Sequence, residues 1–230
     1  MTARDDRLPP GQRWRDDFPR FGMTVFASRF PARPDELRLQ WSGALHEPLV
    51  LDAAALAGVP RVEQRSDFHC VTSWSRRDLL WSGHRFADVY EALVRPLASP
   101  QVSHVVLRGE DGYRADLPLA DLLAPDVLLA DRLDGAPLGL AHGAPLRLVV
   151  PAHYGYKNVK HLQRIELRTS REGYRPLGPA FMSHERGRVA LEQRGHHLPG
   201  WLLRHLFRPF IGPTVATFAR ALRERERERR

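Results

Sequence analysis

Cysteine is the scarcest residue: the 230-residue chain has one, Cys70. A single thiol excludes an intrachain disulfide framework and any cluster or zinc site that needs several thiolates. Long apolar runs are missing too. Nothing approaches the ~18 unbroken apolar residues of a membrane span. The richest stretches, 48–60 and 117–140, are interrupted by Asp52, Asp121, Asp126, Asp131 and Asp134. Residues 1–20 are charged and contain proline. They show no apolar segment and no consecutive arginine pair ahead of one, so neither a secretory nor a twin-arginine signal is expected. The expected location is the cytoplasm, where a free thiol stays reduced.

What is present is an ordinary globular composition with a basic excess. Hydrophobic residues make up 43% and charged residues 27%, which excludes wholesale disorder, collagen and a coiled-coil rod. The balance of 35 Lys+Arg against 27 Asp+Glu gives a net charge of +8, and such a surface can favour nucleic acid, an acidic redox partner or anionic lipid. Much of the excess sits in the arginine-rich start and in residues 220–230, where Arg and Glu alternate. That alternation is the pattern of a solvated, salt-bridged helix end. No nucleic-acid recognition motif accompanies it, so nucleic acid is not an expected partner.

Along the chain, Pro9, Pro10, Pro19, Pro31 and Pro34 forbid a long helix before residue 34, and residues 1–33 read as an extended arm. Residues 36–41 alternate as a strand closed by Ser42-Gly43. Asp52 can cap a short helix over 53–57, with Gly58 past its end. Residues 62–71 read as extended chain carrying Cys70. The spacing of Phe86, Val89, Tyr90, Leu93 and Val94 predicts a helix over 84–95 that stops before Pro96. Residues 102–108 and 113–117 read as a hairpin around Glu110-Asp111-Gly112. A short helix is expected over 119–123 and strands over 127–130, 146–150 and 161–167. Residues 173–195 read as a long loop, and 199–230 as helical, with Leu202, Leu203, Leu206, Phe207, Phe210 and Ile211 on one side. The fold class is α+β, rich in short strands, with one domain over 1–200 and a helical tail over 201–230.

Two segments could carry chemistry. The first is Asp67-Phe68-His69-Cys70-Val71-Thr72-Ser73-Trp74-Ser75. Its cysteine reads either as a buried structural thiol or as a nucleophile or soft metal ligand at a pocket edge. A Cys70/His69 pair is not expected to act as a hydrolase, because adjacent residues of an extended chain point to opposite faces. The second segment runs from His142-Gly143-Ala144-Pro145-Leu146-Arg147 to Tyr154-Gly155-Tyr156-Lys157-Asn158-Val159-Lys160. Arg147, Lys157 and Lys160 surround a strand with positive charge, and the Gly155 backbone and Asn158 offer N–H donors. The segment reads either as a phosphate-binding loop or as a β-arch with solvated lysines.

His69-Cys70-Val71-Thr72-Ser73-Trp74-Ser75, with Leu80-Trp81-Ser82-Gly83 behind it, resembles the cysteine segment of the sulfite-oxidase-type molybdopterin-binding domain. Gly143-Ala144-Pro145-Leu146-Arg147-Leu148-Val149-Val150-Pro151 and the 154–160 segment resemble that family's second signature, in order and at suitable separation. Leu8-Pro9-Pro10-Gly11-Gln12 resembles a bacterial subgroup. The resemblance covers residues 8–168.

It implies the sulfite-oxidase-type fold, with mixed short-stranded sheets and peripheral helices, and a cofactor consisting of molybdenum on one molybdopterin. Cys70 would ligate the metal and be the catalytic residue. The other sulfurs would come from the pterin's dithiolene, which is how one cysteine suffices. His142 and Arg147 match one pair of cofactor contacts, and Asn158, Val159 and Lys160 match a Ser-x-Lys-like triplet. Tyr156 and Lys157 complete the expected cofactor-binding segment. True sulfite oxidases carry Asn-Arg where Ser73 and Trp74 stand, so one anion-binding element is missing. The pattern lies closer to the methionine-sulfoxide-reductase catalytic subunit, although that branch carries Glu where Thr72 stands.

The implied activity is oxygen-atom transfer on a small substrate, either S- or N-oxide reduction or sulfite-type oxidation, and the two departures leave the substrate itself open. Trp74 and Trp81 are candidate pocket walls, with core packing expected for at least one of them. No haem attachment motif is present, so electrons would pass to a separate cytochrome, flavoprotein or ferredoxin, for which the basic surface is suited. The alternative is a cofactor-free binding module that retains the fold and acts through a partner. His184, His196 and His197 read as loop histidines.

Overall fold

The computed structural model describes residues 8–178 and 182–229. Two five-stranded sheets enclose the main core. The first has the order β2 (Leu49–Asp52), β1 (Arg38–Gly43), β10 (Leu162–Arg168), β5 (His104–Gly109), β6 (Arg114–Pro118). Its β1–β10 pair is parallel and the others are antiparallel. The second has the order β3 (Arg61–His69), β4 (Ser75–Arg85), β7 (Leu128–Leu133), β8 (Ala136–Pro137), with β9 (Arg147–Val149) also on β7. The α+β class and the C-terminal helices expected from the sequence are both present.

The core follows from strand alternation. Leu39 and Trp41 of β1, Val105 and Leu107 of β5, and Ile165 and Leu167 of β10 are all essentially inaccessible, and each such side chain contributes about 1.5–3 kcal/mol by leaving water. Short helices join the strands. Asp52 caps α1 (Ala53–Leu56) by accepting from the Ala55 N–H at 2.8 Å. α3 (Leu119–Leu122) follows the β5–β6 hairpin.

Three local expectations need correction. Residues 75–85 form the longest strand, 11 residues, whereas the sequence reading ends extended chain at Val71 and starts a helix at His84. The alternation is hidden by charged Arg76, Arg77 and Asp78 at one end and by Gly83 at the other. A Cβ on Gly83 would lie 2.1 Å from the Leu129 carbonyl oxygen, so the neighbouring strand requires glycine there. The helix starts at Phe86 instead. It runs as α2 (Phe86–Val89), a π turn Tyr90–Val94 and a 3-10 turn Arg95–Leu97. Pro96 is tolerated because its missing N–H falls in the first turn of that last segment. The four-residue β2 was not foreseen.

The chain ends in α4 (Gly200–Phe207), a 3-10 turn Arg208–Phe210 and α5 (Ile211–Glu228). The break falls at Pro209. It divides the expected apolar stripe: Leu203 and Phe207 are buried, while Leu206 and Phe210 are exposed. α5 lies against the N-terminal arm at the 3-10 turn Thr24–Phe26 and buries Phe218.

Candidate active site

Cys70 stands in the turn between β3 and β4. The Cys70 N–H donates to the Trp74 carbonyl at 2.8 Å, and the Ser73 N–H donates to the Cys70 carbonyl at 3.1 Å. Closing so short a connection drives Ser73 to φ +82°, a left-handed conformation that costs a non-glycine residue about 1–3 kcal/mol. The N-terminal arm holds the turn in place: Arg13 N–H donates to the Ser73 carbonyl at 3.1 Å and Arg15 N–H to the Ser75 carbonyl at 2.8 Å. The Cys70 Sγ lies 3.2 Å from the Thr72 hydroxyl. Burial pushes the thiol's pKa up, while the Thr72 hydrogen bonds and the charges of Arg194 and Lys160 pull the other way. Such a thiol is a poor free nucleophile, but a soft metal ion can displace its proton. His69 directs its Nδ1 to the Ser75 hydroxyl at 2.7 Å, and burial keeps the ring neutral.

The thiol faces a cavity of ≈ 390 Å³. The turn before β9 brings His142 to it, β9 brings Arg147 as its first residue, the loop before β10 brings Tyr156, Asn158 and Lys160, and the arm brings Arg20. Phe207, Thr214 and Phe218 close it from the C-terminal helices. Trp74 is a wall residue. Trp81 is fully buried and belongs to a small second core beneath the site.

Charge is the unusual property of this cavity. Arg147 is 2% exposed, donates to the His142 carbonyl at 3.0 Å and lies 4.8 Å over the Trp81 ring. Burial alone lowers its pKa to about 9. Lys160 donates to the Phe21 carbonyl at 2.8 Å, and its pKa falls to about 7, first through burial and then through Arg147 and Arg20. Arg20 spends its terminal nitrogens on the carbonyls of Ala27 at 2.5 Å and Arg29 at 2.8 Å, and its Nε has no partner. Burial brings Arg20 down to about 10. Among the described residues none of the three has a carboxylate within ion-pair distance, although the charge of Asp111 acts in favour of Arg20 and Lys160. His142 stacks on Phe18 with ring centroids 4.9 Å apart, and burial followed by the charges of Arg147 and Lys160 lowers its pKa to about 4. Asp111 is the one carboxylate in the cavity wall that acts on Arg20 and Lys160. Three cations against one acid leave a net positive cavity, which is expensive to bury and fits a phosphate-bearing ligand beside a thiolate-ligated metal. Arg20 was missed because an arginine next to proline in an arm reads as solvated.

The remaining expected residues hold the loop together. Lys157 is absent from the cavity wall. It donates to the Asp116 carbonyl at 2.6 Å, the Asp116 carboxylate at 3.2 Å and the Glu185 carbonyl at 2.5 Å, while Arg171 takes the other Asp116 oxygen at 2.5 Å. Asn158 accepts from the Val150 N–H at 2.8 Å and points its amide at the Tyr154 carbonyl at 3.3 Å. Val159 is buried in the main core. The Tyr156 hydroxyl accepts from the His184 N–H at 3.0 Å. His184 Nδ1 accepts from the N–H groups of Arg186 and Gly187, both at 3.1 Å, and its ring stacks on His196. No group of three or more His, Cys, Asp or Glu among the described residues could hold a metal, and Cys70 is the chain's one thiol.

The sequence profile described as the oxidoreductase molybdopterin binding domain matches residues 27–174. Over 202 residues the chain is 33% identical to the uncharacterized oxidoreductase YuiH of Bacillus subtilis (strain 168), covering 87% of this chain and 91% of that one. Over 144 residues it is 33% identical to the protein-methionine-sulfoxide reductase catalytic subunit MsrP of Gluconobacter oxydans (strain 621H), covering 56% of this chain and 46% of the relative. Among solved structures, the sulfane dehydrogenase SoxCD of Paracoccus pantotrophus superposes with a TM-score of 0.51 at 23% identity, over 59% of this chain and 40% of that one. That likeness concerns the fold. The chain spans less than half of the latter two proteins.

Proposed function

The chain belongs to the oxidoreductase molybdopterin-binding domain family, and from that membership we propose a molybdenum enzyme of oxygen-atom transfer whose Cys70 thiolate is the protein's ligand to the metal. The observation that supports this reading is the convergence of one thiol and three cations, from separate chain segments, on one cavity. When bound, the single-pterin cofactor supplies a two-electron centre that gives or takes an oxygen atom.

The chain's own residues do the rest. Arg147 offers a planar fork and Lys160 a point charge to the cofactor's phosphate. Neutral His142 lends a ring nitrogen to the pterin. Asn158, Val159 and Lys157 fix the loop from which Lys160 projects, and Tyr156 forms its outer wall. Trp74, Phe207 and Phe218 exclude water from the thiolate. The cofactor-free alternative would leave three cations facing one carboxylate, Asp111, in the same cavity.

Residues 1–200 carry the proposed cofactor domain and 201–230 the helical tail, whose α4 and α5 cover the cavity. Among the described residues, no helix is long and apolar enough to cross a membrane, and a cytoplasmic location belongs to this proposal. So does a separate electron carrier, a cytochrome, flavoprotein or ferredoxin, since the chain has no haem attachment motif of its own. Ser73 and Trp74, in place of Asn-Arg, favour an S- or N-oxide over sulfite. A substrate panel on molybdenum-loaded protein tests this: turnover of S- or N-oxides well above sulfite is expected, and turnover of none of the three refutes it.

A further inference from the structure

Gln12 and Arg194 both lie outside the stretch that matches the family profile, yet both reach the cysteine turn. Gln12 is 6% exposed. Its amide nitrogen donates to the Cys70 carbonyl at 3.2 Å, and its amide oxygen accepts from the Ser75 hydroxyl at 3.0 Å. One side chain therefore spans the turn from its first residue to the start of β4. Arg194 is fully buried. It donates to the Val71 carbonyl, to the Pro10 carbonyl at 3.1 Å and to the Glu192 carboxylate at 3.2 Å, with its guanidinium 5.1 Å over the Tyr154 ring.

These contacts close on one another. Arg194 ties Val71 to Pro10, and two residues beyond Pro10 stands Gln12, which ties back to Cys70. Gly11 between them is at φ +69°, and a Cβ there would lie 2.6 Å from Arg204 Cδ and 3.0 Å from Arg194 Nη2. The Leu8-Pro9-Pro10-Gly11-Gln12 motif thus supplies the backbone that Arg194 grips and the amide that Cys70 needs. With the carbonyls of Cys70 and Val71 both pinned, the sulfur keeps one rotor, χ1, as its freedom.

We propose that Gln12 and Arg194 are positioning residues that aim the Cys70 sulfur into the cavity and so set the geometry of its bond to the metal. This rests on the proposed ligand role of Cys70. Each residue acts through a main-chain carbonyl, so the clamp needs hydrogen-bond geometry and not charge alone. Arg194→Lys keeps the charge and loses the fork, and Gln12→Ala removes the amide.

The test uses two preparations of the full chain. In protein grown without molybdate, the rate at which iodoacetamide alkylates Cys70 is read with circular dichroism as the fold control. Both variants are expected to react roughly fivefold faster than the parent, the population change that follows from losing one hydrogen bond. In holoenzyme, the thiolate-to-metal absorption band is expected to move and kcat to fall about tenfold with KM little changed. An unchanged alkylation rate and an unmoved band in Gln12→Ala overturn the clamp. Restoration of the parent band by Arg194→Lys overturns it in favour of a pure charge effect. If Arg194→Lys does not fold, Gln12→Ala decides alone. Should the parent bind no molybdenum, the proposed function fails, while the alkylation rates still report on the clamp.

Discussion

Lys160 shows how a single side chain can oppose the fold and serve the site. Its ammonium meets one carbonyl and the repulsion of Arg147 and Arg20, with only Asp111 and the Cys70 sulfur acting in its favour. Lys160→Met should therefore stabilise the cofactor-free protein by about 1 kcal/mol, discounted for partial exposure, which is a rise of roughly 2–4 °C in Tm. The same variant should copurify with less cofactor. A lower Tm together with undiminished cofactor content would contradict this account. At this scale the sequence was informative where a residue type announces chemistry. Cys70, His142, Arg147 and Lys160 all line the cavity. Lys157 looks the same in sequence but is taken by Asp116, a carboxylate in an apolar strand whose partner no spacing rule identifies.

The element that carries most of the second segment is the loop between β9 and β10, and its anchor is ionic. Asp116 of β6 holds buried Lys157 and half-buried Arg171 together. Among the described residues, Asp116→Asn removes the only carboxylate that both cations meet at hydrogen-bond distance, and breaking such a buried arrangement costs about 3 kcal/mol or more. Urea unfolding should show the midpoint falling by a matching amount, whereas an unchanged midpoint would mean the anchor contributes nothing. Hairpins with turn chemistry, such as β5–β6 around Glu110-Asp111-Gly112, were legible from the sequence. β4 was not, because its pattern is interrupted where Gly83 lets β7 approach. Strand and turn compete locally, and here the long-range partner decides.

For the whole molecule, the buried bases impose a pH dependence. The native pKa of Lys160 is about 7 and that of Lys157 about 8, both below the ordinary lysine value. Each group therefore binds its proton more weakly folded than unfolded. Between the native value and the ordinary one the unfolded chain holds more protons, and stability rises with pH. Cofactor-free protein should gain stability from pH 7 to about 8, before ionisation of the unfolded thiol near about 8.5 and of the unfolded tyrosines near about 10 acts the other way. The slope should shrink once a phosphate-bearing ligand fills the cavity and keeps Lys160 charged. A cofactor-free protein whose urea midpoint falls over that range would contradict the assignment. The same global view explains the tail: α4 and α5 supply Phe207, Thr214 and Phe218 to the cavity and cover it, a role invisible in their own amphipathic pattern.

The central claim is that Cys70 holds a molybdenum whose other anchor is a phosphate-bearing pterin. Molybdenum and pterin should be counted together in protein from a molybdenum-replete host, for the parent chain and for Cys70→Ser at equal circular dichroism. About one of each per parent chain is predicted, with molybdenum falling at least tenfold in the variant, as expected when a metal's only protein ligand is lost. Parent protein free of both, or a variant that keeps its full complement of metal, would contradict the account.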